Sequence, residues 1–405
     1  MQIIKLEGDK SLSHRYLIFE YLSGRKCQIK NLSSCDDVQT TRNCLNQISQ
    51  GIKELDCKNS GTTIRLLAGM ISGSELSKSY LLTGDNSLKR RPMQRIIEPL
   101  SKLGVEINSY AKGMTAPFEI VGQSVSQISS INIKIPSAQV KSSLLLFALC
   151  ANRELTLTGA IESRDHTEIF LKNQNLNIRK NDNTIYINDS FKSILPFNID
   201  VPGDPSSAIF LMIASILSQN THEYLLKSVS LNPTRIEYIR LLKEMNCNIH
   251  LSNQHYNLGE LVGDITVSYT PLSSIRSPEN LDSFNTTFLI DEFPILSILF
   301  SQLKGTVLIK NLSELRVKES DRLKGIKELL SHVCPECQVV ISKDSLSIGY
   351  GNFIESHDFK SNDHRILMSY FVSQKVIHSK RKPNFEEKNT VKISYPNFFK
   401  DISLI

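Results

Sequence analysis

Short apolar runs alternate with amphipathic stretches along the whole chain. Residues 307–309 form an apolar run typical of a short strand, and residues 323–330 then place leucine and isoleucine on one face of a predicted helix. Residues 184–188 and 345–349 alternate between apolar and polar side chains, which predicts strands. Strands and helices that alternate in this way predict an α/β fold.

A recurring local pattern connects these elements: small polar residues end a strand or turn and open an apolar helix. Such residues cap the unpaired N–H groups of a helix, and the helix dipole there favours an anion. Cationic side chains such as Arg65 and Lys141 follow several of these openings, so convergent helix ends would attract anions. The pattern occurs at intervals of roughly 50 to 90 residues, at residues 8–15, 59–65, 136–143, 203–208, 290–295 and 362–365.

Residues 315–323, LRVKESDRL, are the most informative segment for chemistry. Six of these nine residues are charged or hydroxylated, and they lie between a predicted strand and a predicted helix. A dense charge run is usually a solvated turn. Here cations alternate with carboxylates, which supplies anion clamps and proton-transfer groups together. We expect acid/base chemistry on a small anionic substrate, with Arg316 either in a salt bridge or in contact with the substrate, and with Asp321 capping the helix that Arg322 begins.

Composition limits the possible classes of protein. A chain of 405 residues favours two domains, since a single core rarely grows to that size. No apolar stretch approaches the ~20 residues of a membrane span, and the N-terminus lacks the apolar core of a signal peptide. We therefore expect a cytoplasmic protein. The net charge of +6 is dispersed and tryptophan is absent, which argues against nucleic-acid binding.

The eight cysteines are interpreted as reduced thiols, most of them buried. Cys334 and Cys337 form a C-x-x-C pair without a second pair or a histidine motif. One such pair is half of a zinc site, so we expect no metal.

Together these segments resemble the enolpyruvyl transferase family and, within it, the EPSP synthases. The resemblance spans nearly the whole chain, and each motif is weak alone, whereas the set in this order is highly specific. The segment RVKESDR is the strongest of them. The matching motifs are residues 8–15 (GDKSLSHR), 59–65 (NSGTTIR), 82–93 (LTGD followed by RPM), 137–139 (SAQ), 203–207 (GDPSS), 316–322 (RVKESDR) and 363–365 (DHR).

The resemblance implies a fold of two similar globules, each built from three βαβαββ units in an inside-out α/β barrel arrangement, with the active site in the cleft between them. One globule would be continuous, residues 9–202, and the other would combine residues 1–8 with residues 203–405. The implied reaction transfers the enolpyruvyl group of phosphoenolpyruvate to the 5-hydroxyl of shikimate-3-phosphate through a tetrahedral intermediate, in aromatic amino-acid biosynthesis. No cofactor is implied, and we expect a monomer.

The resemblance also implies the catalytic roles. Asp291 would hold and deprotonate the shikimate hydroxyl, with Lys318 beside it as an acid/base partner. Glu319 would protonate and later deprotonate the methylene carbon of phosphoenolpyruvate. Lys10 is also counted among the catalytic residues.

The remaining implied residues bind the two anionic substrates. Arginine suits a carboxylate clamp because its guanidinium is a planar fork. The phosphoenolpyruvate set is Lys10, Asn59, Gly61, Thr62, Arg91, Gln139, Arg322 and Arg365, the two last on its carboxylate. The shikimate-3-phosphate set is Lys10, Ser11, Arg15, Ser137, Ala138, Gln139, Arg164, Asp291 and Lys318.

Three positions depart from the family pattern. Ala138 stands where many members have serine, although a backbone N–H can serve there. Ile393 stands where many members have a lysine, and Lys392 would point the other way if this run is extended. Gly61 argues for sensitivity to glyphosate in the micromolar range, although Leu66, where proline is common, weakens that prediction.

Three alternatives remain open at this point. The nearest is the enolpyruvyl transferase of cell-wall synthesis, which acts on UDP-N-acetylglucosamine and usually uses a loop cysteine. No cysteine lies between Cys57 and Cys150 here. The others are a non-enzymatic, basic nucleic-acid-binding protein that borrowed the fold, and an inactive relative. The latter is disfavoured because competent residues occupy every acid/base position.

Overall fold

The computed structural model describes residues 1–74, 79–110, 114–123, 126–188, 193–278 and 281–405. The chain divides into two units. The N-terminal unit comprises Lys10–Val201 and Leu258–Glu260, and the C-terminal unit comprises Met1–Asp9, Pro202–Asn257 and Leu261–Ile405. These bounds differ by one residue at each end from the expected 9–202, and they add a short turn to the N-terminal unit.

The chain enters the C-terminal unit with strand β1 (Gln2–Lys5) and then builds the N-terminal unit. Its elements, in chain order, are α1 (Lys10–Ser23), β2 (Gln28–Lys30), α2 (Asp36–Ser49), β3 (Glu54–Asp56), α3 (Gly61–Gly73), β4 (Tyr80–Thr83), a 3₁₀ turn (Leu88–Arg90), α4 (Gln94–Lys102), β5 (Val105–Ser109), β6 (Phe118–Gln123), β7 (Ser130–Ile133), α5 (Ala138–Cys150), β8 (Leu155–Gly159), α6 (His166–Asn173), β9 (Ile178–Asn181), β10 (Thr184–Ile187) and β11 (Asn198–Asp200).

The rest of the C-terminal unit follows after a short crossover. Its elements are α7 (Pro205–Leu217), β12 (Glu223–Ser230), α8 (Glu237–Glu244), β13 (Ile249–Asn257), β14 (Glu260–Ser268), α9 (Thr286–Leu289), α10 (Phe293–Phe300), β15 (Val307–Ile309), α11 (Arg322–Val333), β16 (Val339–Ile341), β17 (Leu346–Ile348), α12 (His364–Val376), α13 (Phe385–Lys392) and α14 (Phe398–Ile402), with 3₁₀ turns at Leu272–Ser274, Leu281–Ser283 and Ser313–Val317.

One strand order recurs in the described part of the chain. The sheets β3-β4-β6-β5, β7-β8-β10-β9 and β1-β12-β14-β13 each pair their first two strands in parallel and add an antiparallel hairpin. One helix connects the two parallel strands in each of the first two sheets, as parallel pairing requires, whereas residues 6–222, which end with α7, separate β1 from β12. This is the βαβαββ order, and the predicted α/β class is confirmed. The sheet β15-β17-β16 follows the same order without a second strand, and β2 pairs with β11 in parallel.

Two glycines set the packing at the centre of the N-terminal unit. A Cβ on Gly69 would lie 2.0 Å from the carbonyl oxygen of Ser143, and one on Gly73 would lie 2.3 Å from that of Phe147. Only glycine therefore permits this backbone approach. The second contact lies four residues, or about one helical turn, after the first in both helices. The helices α3 and α5 therefore run side by side in the same direction, and their N-termini lie at the same end.

The C-terminal unit has its own core around α7 and α10. Every residue of both helices is buried, and α12 packs against both. Helices that are apolar on all sides belong to the interior of a domain, so their polar N-terminal residues must find partners inside the protein. In the described part of the chain, no helix combines the length and the apolar character that crossing a membrane would require.

Candidate active site

The N-termini of α3 and α5 form the centre of the predicted anion site in the N-terminal unit. The Ser60 hydroxyl caps α3 by accepting the Thr63 N–H at 3.2 Å, and the Ser137 hydroxyl caps α5 by accepting the Val140 N–H at 3.4 Å. Gln139 connects the two helix ends, because its Nε2 donates to Thr62 Oγ1 at 2.9 Å. The paired helix ends concentrate positive potential where the sequence predicted phosphate binding.

Two arginines lie beside these helix ends. Arg65 donates to the Gln139 side-chain oxygen. Arg91 donates from Nη2 to the Asn59 side-chain oxygen at 2.7 Å, and its Nη1 lies 3.0 Å from the position that a Cβ on Gly61 would occupy. Arg91 Nε is buried without a hydrogen-bond acceptor among the residues that the structure describes. Five of the predicted phosphoenolpyruvate ligands therefore lie together here, namely Asn59, Gly61, Thr62, Arg91 and Gln139.

Lys10 begins α1 and is paired with a carboxylate. Its Nζ lies 3.0 Å from Asp37 Oδ2, at the first turn of α2. His14, one turn further along α1, bonds through Nδ1 to the Thr41 hydroxyl at 2.7 Å. Burial lowers the pKa of His14 to about 3, and the positive charges of Lys10 and Arg15 act in the same direction against the opposing effect of Asp37. His14 is therefore a neutral structural residue at physiological pH.

Arg15, predicted to bind shikimate-3-phosphate, is buried. Its guanidinium donates to Thr167 Oγ1 at 2.9 Å, to the Ser11 carbonyl at 2.8 Å and to Ser142 Oγ at 2.8 Å. These bonds hold α1, α5 and α6 together. Substrate contact by Arg15 stays a prediction, and in this structure the side chain has an internal structural role.

Lys141 was expected to follow a helix cap as an anion ligand, and the structure places it differently. Its ammonium is fully buried, 2.7 Å from Glu168 Oε1 and 3.1 Å from each of the carbonyls of Ile161 and Ser163. The segment that leads into Arg164 is held by these bonds. Sequence spacing gave no signal for this role, because Glu168 lies on another helix.

The predicted acid/base residues of the C-terminal unit converge on Arg322. This side chain is 1% exposed and donates to three carboxylates: Nε to Asp363 Oδ2 at 2.9 Å, Nη1 to Asp291 Oδ1 at 3.0 Å and Nη2 to Glu319 Oε2 at 2.5 Å. Burial opposes its charge, but the three carboxylates outweigh burial and raise the pKa of Arg322. Asp291 and Glu319 are thus oriented by one guanidinium.

Lys318 completes this cluster. Its Nζ lies 3.4 Å from Asp291 Oδ1, the oxygen that also accepts from Arg322. Asp291 is 16% exposed, Lys318 28% and Glu319 32%, whereas Arg322 is enclosed. The proton-transfer groups therefore face outward from an internal cation.

Helix capping fixes the ends of this cluster. The Asp321 side chain caps α11 by accepting the Lys324 N–H at 3.3 Å, and Arg316 Nη1 lies 3.2 Å from Asp321 Oδ2, so both sequence interpretations are confirmed. The Asp363 side chain caps α12 at the Arg365 N–H and accepts from Arg322 with its other oxygen. Although burial opposes ionisation, Arg322 and His364 lower the pKa of Asp363.

Arg365 connects the cluster to its neighbour Glu292. Its Nη1 donates to the Asp291 carbonyl at 2.8 Å and lies 3.6 Å from Glu292 Oε1. Arg365 therefore supports the backbone of the predicted base in addition to its predicted contact with the substrate carboxylate.

The C-terminal departure at Ile393 has a different geometry from the one expected. An extended run would have placed Lys392 and Ile393 on opposite faces. Instead α13 ends at Lys392 and Ile393 has helical dihedral angles, φ −54° and ψ −33°. Successive helical residues are about 100° apart, so Lys392 is displaced sideways from Ile393. An asparagine–glutamate capping box at Asn384 and Glu387 begins this helix.

Comparison with known proteins identifies the class and then the family. The family model EPSP synthase (3-phosphoshikimate 1-carboxyvinyltransferase) matches residues 2–56 and 46–402. The 3-phosphoshikimate 1-carboxyvinyltransferase of Carboxydothermus hydrogenoformans is 35% identical and covers 99% of this chain and 95% of the relative. The Helicobacter pylori enzyme of the same name is 37% identical over 90% of each chain.

Solved structures agree. EPSP synthase from Acinetobacter baumannii superposes with a TM-score of 0.77 at 27% identity, over 99% of this chain and 95% of that one. The enolpyruvyl transferase NikO from Streptomyces tendae, at 12% identity, shares the fold with a TM-score of 0.71 over 100% of this chain and 94% of that one.

The family model and these relatives show that the chain is an enolpyruvyl transferase by class, and its repeated βαβαββ order agrees with this. Within that class, the chain belongs to the EPSP synthase family. It is a transferase of the shikimate pathway, which leads to the aromatic amino acids.

Proposed function

We propose that this chain transfers the enolpyruvyl group of phosphoenolpyruvate to the 5-hydroxyl of shikimate-3-phosphate, with release of phosphate, and that the residues described above carry the reaction. The observation that supports this most strongly is the arrangement at Arg322, where Asp291 and Glu319 share one buried guanidinium and Lys318 adjoins Asp291. Two carboxylates and an ammonium at one place supply the proton donors and acceptors that addition and elimination need.

In the addition step, Asp291 accepts the proton of the attacking hydroxyl while the oxygen of that hydroxyl bonds to C2 of phosphoenolpyruvate. Glu319, as the acid, donates a proton to the methylene carbon, which gives a tetrahedral intermediate. In the elimination step, Glu319 removes a proton from the new methyl group and the C–O bond to phosphate breaks. Lys318 donates a proton to the leaving phosphate and takes up the hydroxyl proton from Asp291, whose Oδ1 lies 3.4 Å away, and the double bond forms again in the product.

Arg322 acts in this scheme chiefly by orienting the two carboxylates. All three of its nitrogen groups donate to carboxylates, so a substrate carboxylate would have to displace one of them. For Arg365, the hydrogen bond and ion pair within the described part of the chain both use Nη1. Its Nη2 is therefore the better candidate for the carboxylate of phosphoenolpyruvate, and the Arg322 clamp stays a prediction.

The N-terminal unit supplies the anion-binding groups in this proposal. Arg91, Lys10, Gln139 and the N-terminus of α3 would hold the phosphate of phosphoenolpyruvate. The N-terminus of α5 and Arg164 would hold shikimate-3-phosphate. Cations and helix N-termini offset the repulsion between two anionic substrates.

The test is phosphate release by the purified protein with phosphoenolpyruvate and either shikimate-3-phosphate or UDP-N-acetylglucosamine as acceptor. Release with shikimate-3-phosphate alone is expected. Release only with the nucleotide sugar would overturn the assignment of the acceptor, and no release with either would overturn the proposed activity. We also propose a cytoplasmic monomer, and elution at a dimer's size in size-exclusion chromatography would contradict the monomer.

A further inference from the structure

A second buried guanidinium lies in the C-terminal unit outside the predicted site. Arg235 is 2% exposed, and its Nη1 donates to Asp9 Oδ2 at 2.6 Å. Its Nη2 donates to Asp204 Oδ1 and to Ser206 Oγ, both at 3.1 Å. Since it is enclosed, Arg235 has no access to a substrate, and its partners decide what it can do.

Arg235 is itself held by a local turn. Asn232 Oδ1 accepts both the N–H and the hydroxyl of Thr234, at 2.9 and 2.6 Å, and the Asn232 carbonyl accepts the Arg235 N–H at 2.8 Å. An asparagine side chain that bonds to the backbone two residues later forms a rigid turn. The guanidinium thus projects from a fixed point.

One arm of this network, the contact of Arg235 with Asp9, reaches the residue before Lys10. The Asp9 N–H donates to the Pro202 carbonyl at 2.7 Å and its carboxylate accepts from Arg235, so both its main chain and its side chain are fixed. Consecutive Cα atoms are about 3.8 Å apart across a trans peptide. The starting point of Lys10 therefore follows from where Asp9 is held.

The other arm, which runs from Arg235 through Ser206 to Glu292, reaches the residue after Asp291. The Ser206 hydroxyl accepts from Arg235 and donates to Glu292 Oε1 at 2.7 Å. Glu292 lies 3.6 Å from Arg365 Nη1, which donates to the Asp291 carbonyl. This arm therefore fixes the backbone on which the proposed base is carried.

The charges in this network make arginine specifically suitable. Burial opposes a charge on Arg235, but Asp9, Asp204 and Glu292 outweigh burial and raise its pKa. The guanidinium fork reaches a carboxylate on each terminal nitrogen, whereas a lysine ammonium is a single point charge.

We propose that Arg235 is a positioning residue for enolpyruvyl transfer, which fixes Lys10 through Asp9 and Asp291 through Ser206 and Glu292. This inference rests on the proposed roles of Lys10 in phosphoenolpyruvate binding and of Asp291 in proton transfer. Because the two arms leave Arg235 through different residues, each can be broken separately.

The separate arms predict separate kinetic effects. Asp9→Asn weakens the arm to Lys10, so KM for phosphoenolpyruvate rises while kcat changes less. Ser206→Ala breaks the arm to Asp291, so kcat falls while KM for phosphoenolpyruvate changes less. Arg235→Lys weakens both arms and shows both effects. Small displacements of reacting groups can cost on the order of 100-fold in rate, and we expect losses of about 10- to 100-fold in kcat/KM.

Each variant of the full-length protein has a matched control in the same unit. Asp264→Asn changes a buried aspartate that bonds to the Ser228 N–H and to Asn253. Ser215→Ala removes a buried hydroxyl of the same helix as Ser206 that donates only to the Leu211 carbonyl among the described residues. Arg381→Lys alters a shielded ion pair with Glu387. Thermal unfolding of every variant is measured beside its kinetics.

The expected result is a raised KM in Asp9→Asn and a lowered kcat in Ser206→Ala, while both variants unfold at the same temperature as the wild type. The control variants should have the kinetic constants of the wild type. Wild-type kinetics in folded Asp9→Asn and Ser206→Ala would overturn the inference, even if Arg235→Lys does not fold. A uniform loss of kcat in proportion to the loss of folded protein would do the same. An inactive wild type, or an unchanged Lys10→Met or Asp291→Asn variant, would instead count against the proposed function.

Discussion

The two units hold their predicted site residues in different ways. In the C-terminal unit, site residues are partners of one another: Arg322 binds Asp291 and Glu319, and Lys318 adjoins Asp291. In the N-terminal unit, Arg91 contacts Asn59 and Gln139 contacts Thr62 within the predicted set, whereas Lys10 and Arg15 are held largely by residues outside it. Asp37 pairs with Lys10, and Thr167 and Ser142 accept from Arg15.

The balance of charge differs in the same way. Carboxylates surround the cations of the C-terminal cluster, whereas hydroxyls and side-chain amides are the partners of Arg15, Arg65 and Arg91 in the N-terminal unit. A carboxylate-rich cluster suits proton transfer, and a cation-rich surface with helix ends suits anion binding. The difference predicts that substitutions in the C-terminal cluster mainly lower kcat, whereas those in the N-terminal unit mainly raise KM.

The largest effect is expected from Asp291→Asn and Glu319→Gln. Both substitutions keep the shape of the side chain and remove its ability to accept a proton, so kcat should fall by about 10²- to 10⁴-fold. Steady-state phosphate release measures this. Glu314→Gln, in the 3₁₀ turn before the cluster, is the matched control and should keep wild-type kcat. A rise in KM at unchanged kcat would break the distinction between the units.

Arg322→Met should reduce stability in addition to lowering kcat. It leaves the carboxylates of Asp363, Asp291 and Glu319 without their shared cation, and breaking a buried ion pair from one side costs about 3 to 5 kcal/mol. Urea unfolding measures the loss, with Arg240→Met, an exposed ion-pair residue, as the control.

The ion pair between Arg322 and Asp363 also makes the stability depend on pH. Because the folded pKa of Asp363 is lowered, its stabilisation is complete above the unfolded pKa of about 3.9 and is lost as pH falls through the lower folded pKa. Asp363→Asn should remove this acid-side slope. An unchanged slope would mean that Arg322 does not hold Asp363 as described.

Lys10→Met should raise KM for phosphoenolpyruvate by about 10- to 100-fold, since a hydrogen bond to a charged group contributes about 1.5 to 3 kcal/mol. Its kcat should change much less. Lys26→Met, beyond the C-terminal end of α1, is an exposed control that should match the wild type. If kcat fell as strongly as for Asp291→Asn, Lys10 would act in proton transfer. The proposed division between anion binding in the N-terminal unit and proton transfer in the C-terminal unit would then be wrong.

Gly61→Ala should have a smaller effect on the N-terminal unit. Its Cβ would lie 3.0 Å from Arg91 Nη1, which must move by a few tenths of an ångström. We expect KM for phosphoenolpyruvate to rise a few-fold and inhibition by glyphosate to weaken relative to a wild type inhibited in the micromolar range. Wild-type activity that persists at millimolar glyphosate would contradict the predicted sensitivity.

The smallest effect on catalysis is expected for His14, which contributes instead to the pH dependence of stability. Its pKa is about 3 when folded and 6.5 in its ordinary state. Between these values the unfolded chain binds a proton that the folded protein does not, so stability falls as pH decreases from 6.5. The slope is at most about 1.4 kcal/mol per pH unit. His14→Gln should remove this slope of stability against pH, as measured by urea unfolding at pH 4 to 7. If the variant and the wild type had the same slope, the pKa of His14 would not be lowered by folding.

The local pattern of the sequence determined the elements and their ends. Ser60, Ser137, Asp321 and Asp363 each cap a helix by bonding to an N–H two or three residues later, an interaction that short-range spacing encodes. The clustering of cations after such caps pointed to anion binding, and the ordered motifs pointed to the family.

Tertiary structure decided which charged groups face inward. Arg235 and Asp9 are 226 residues apart, and Arg15 and Thr167 are 152 apart, so no local spacing relates them. Lys141 was expected to face an anion, but Glu168 and two carbonyls occupy it. A buried charge must find an opposite charge or hydrogen-bond partners wherever the fold brings them. For that reason the types of site residues could be predicted from the sequence, whereas their partners could not.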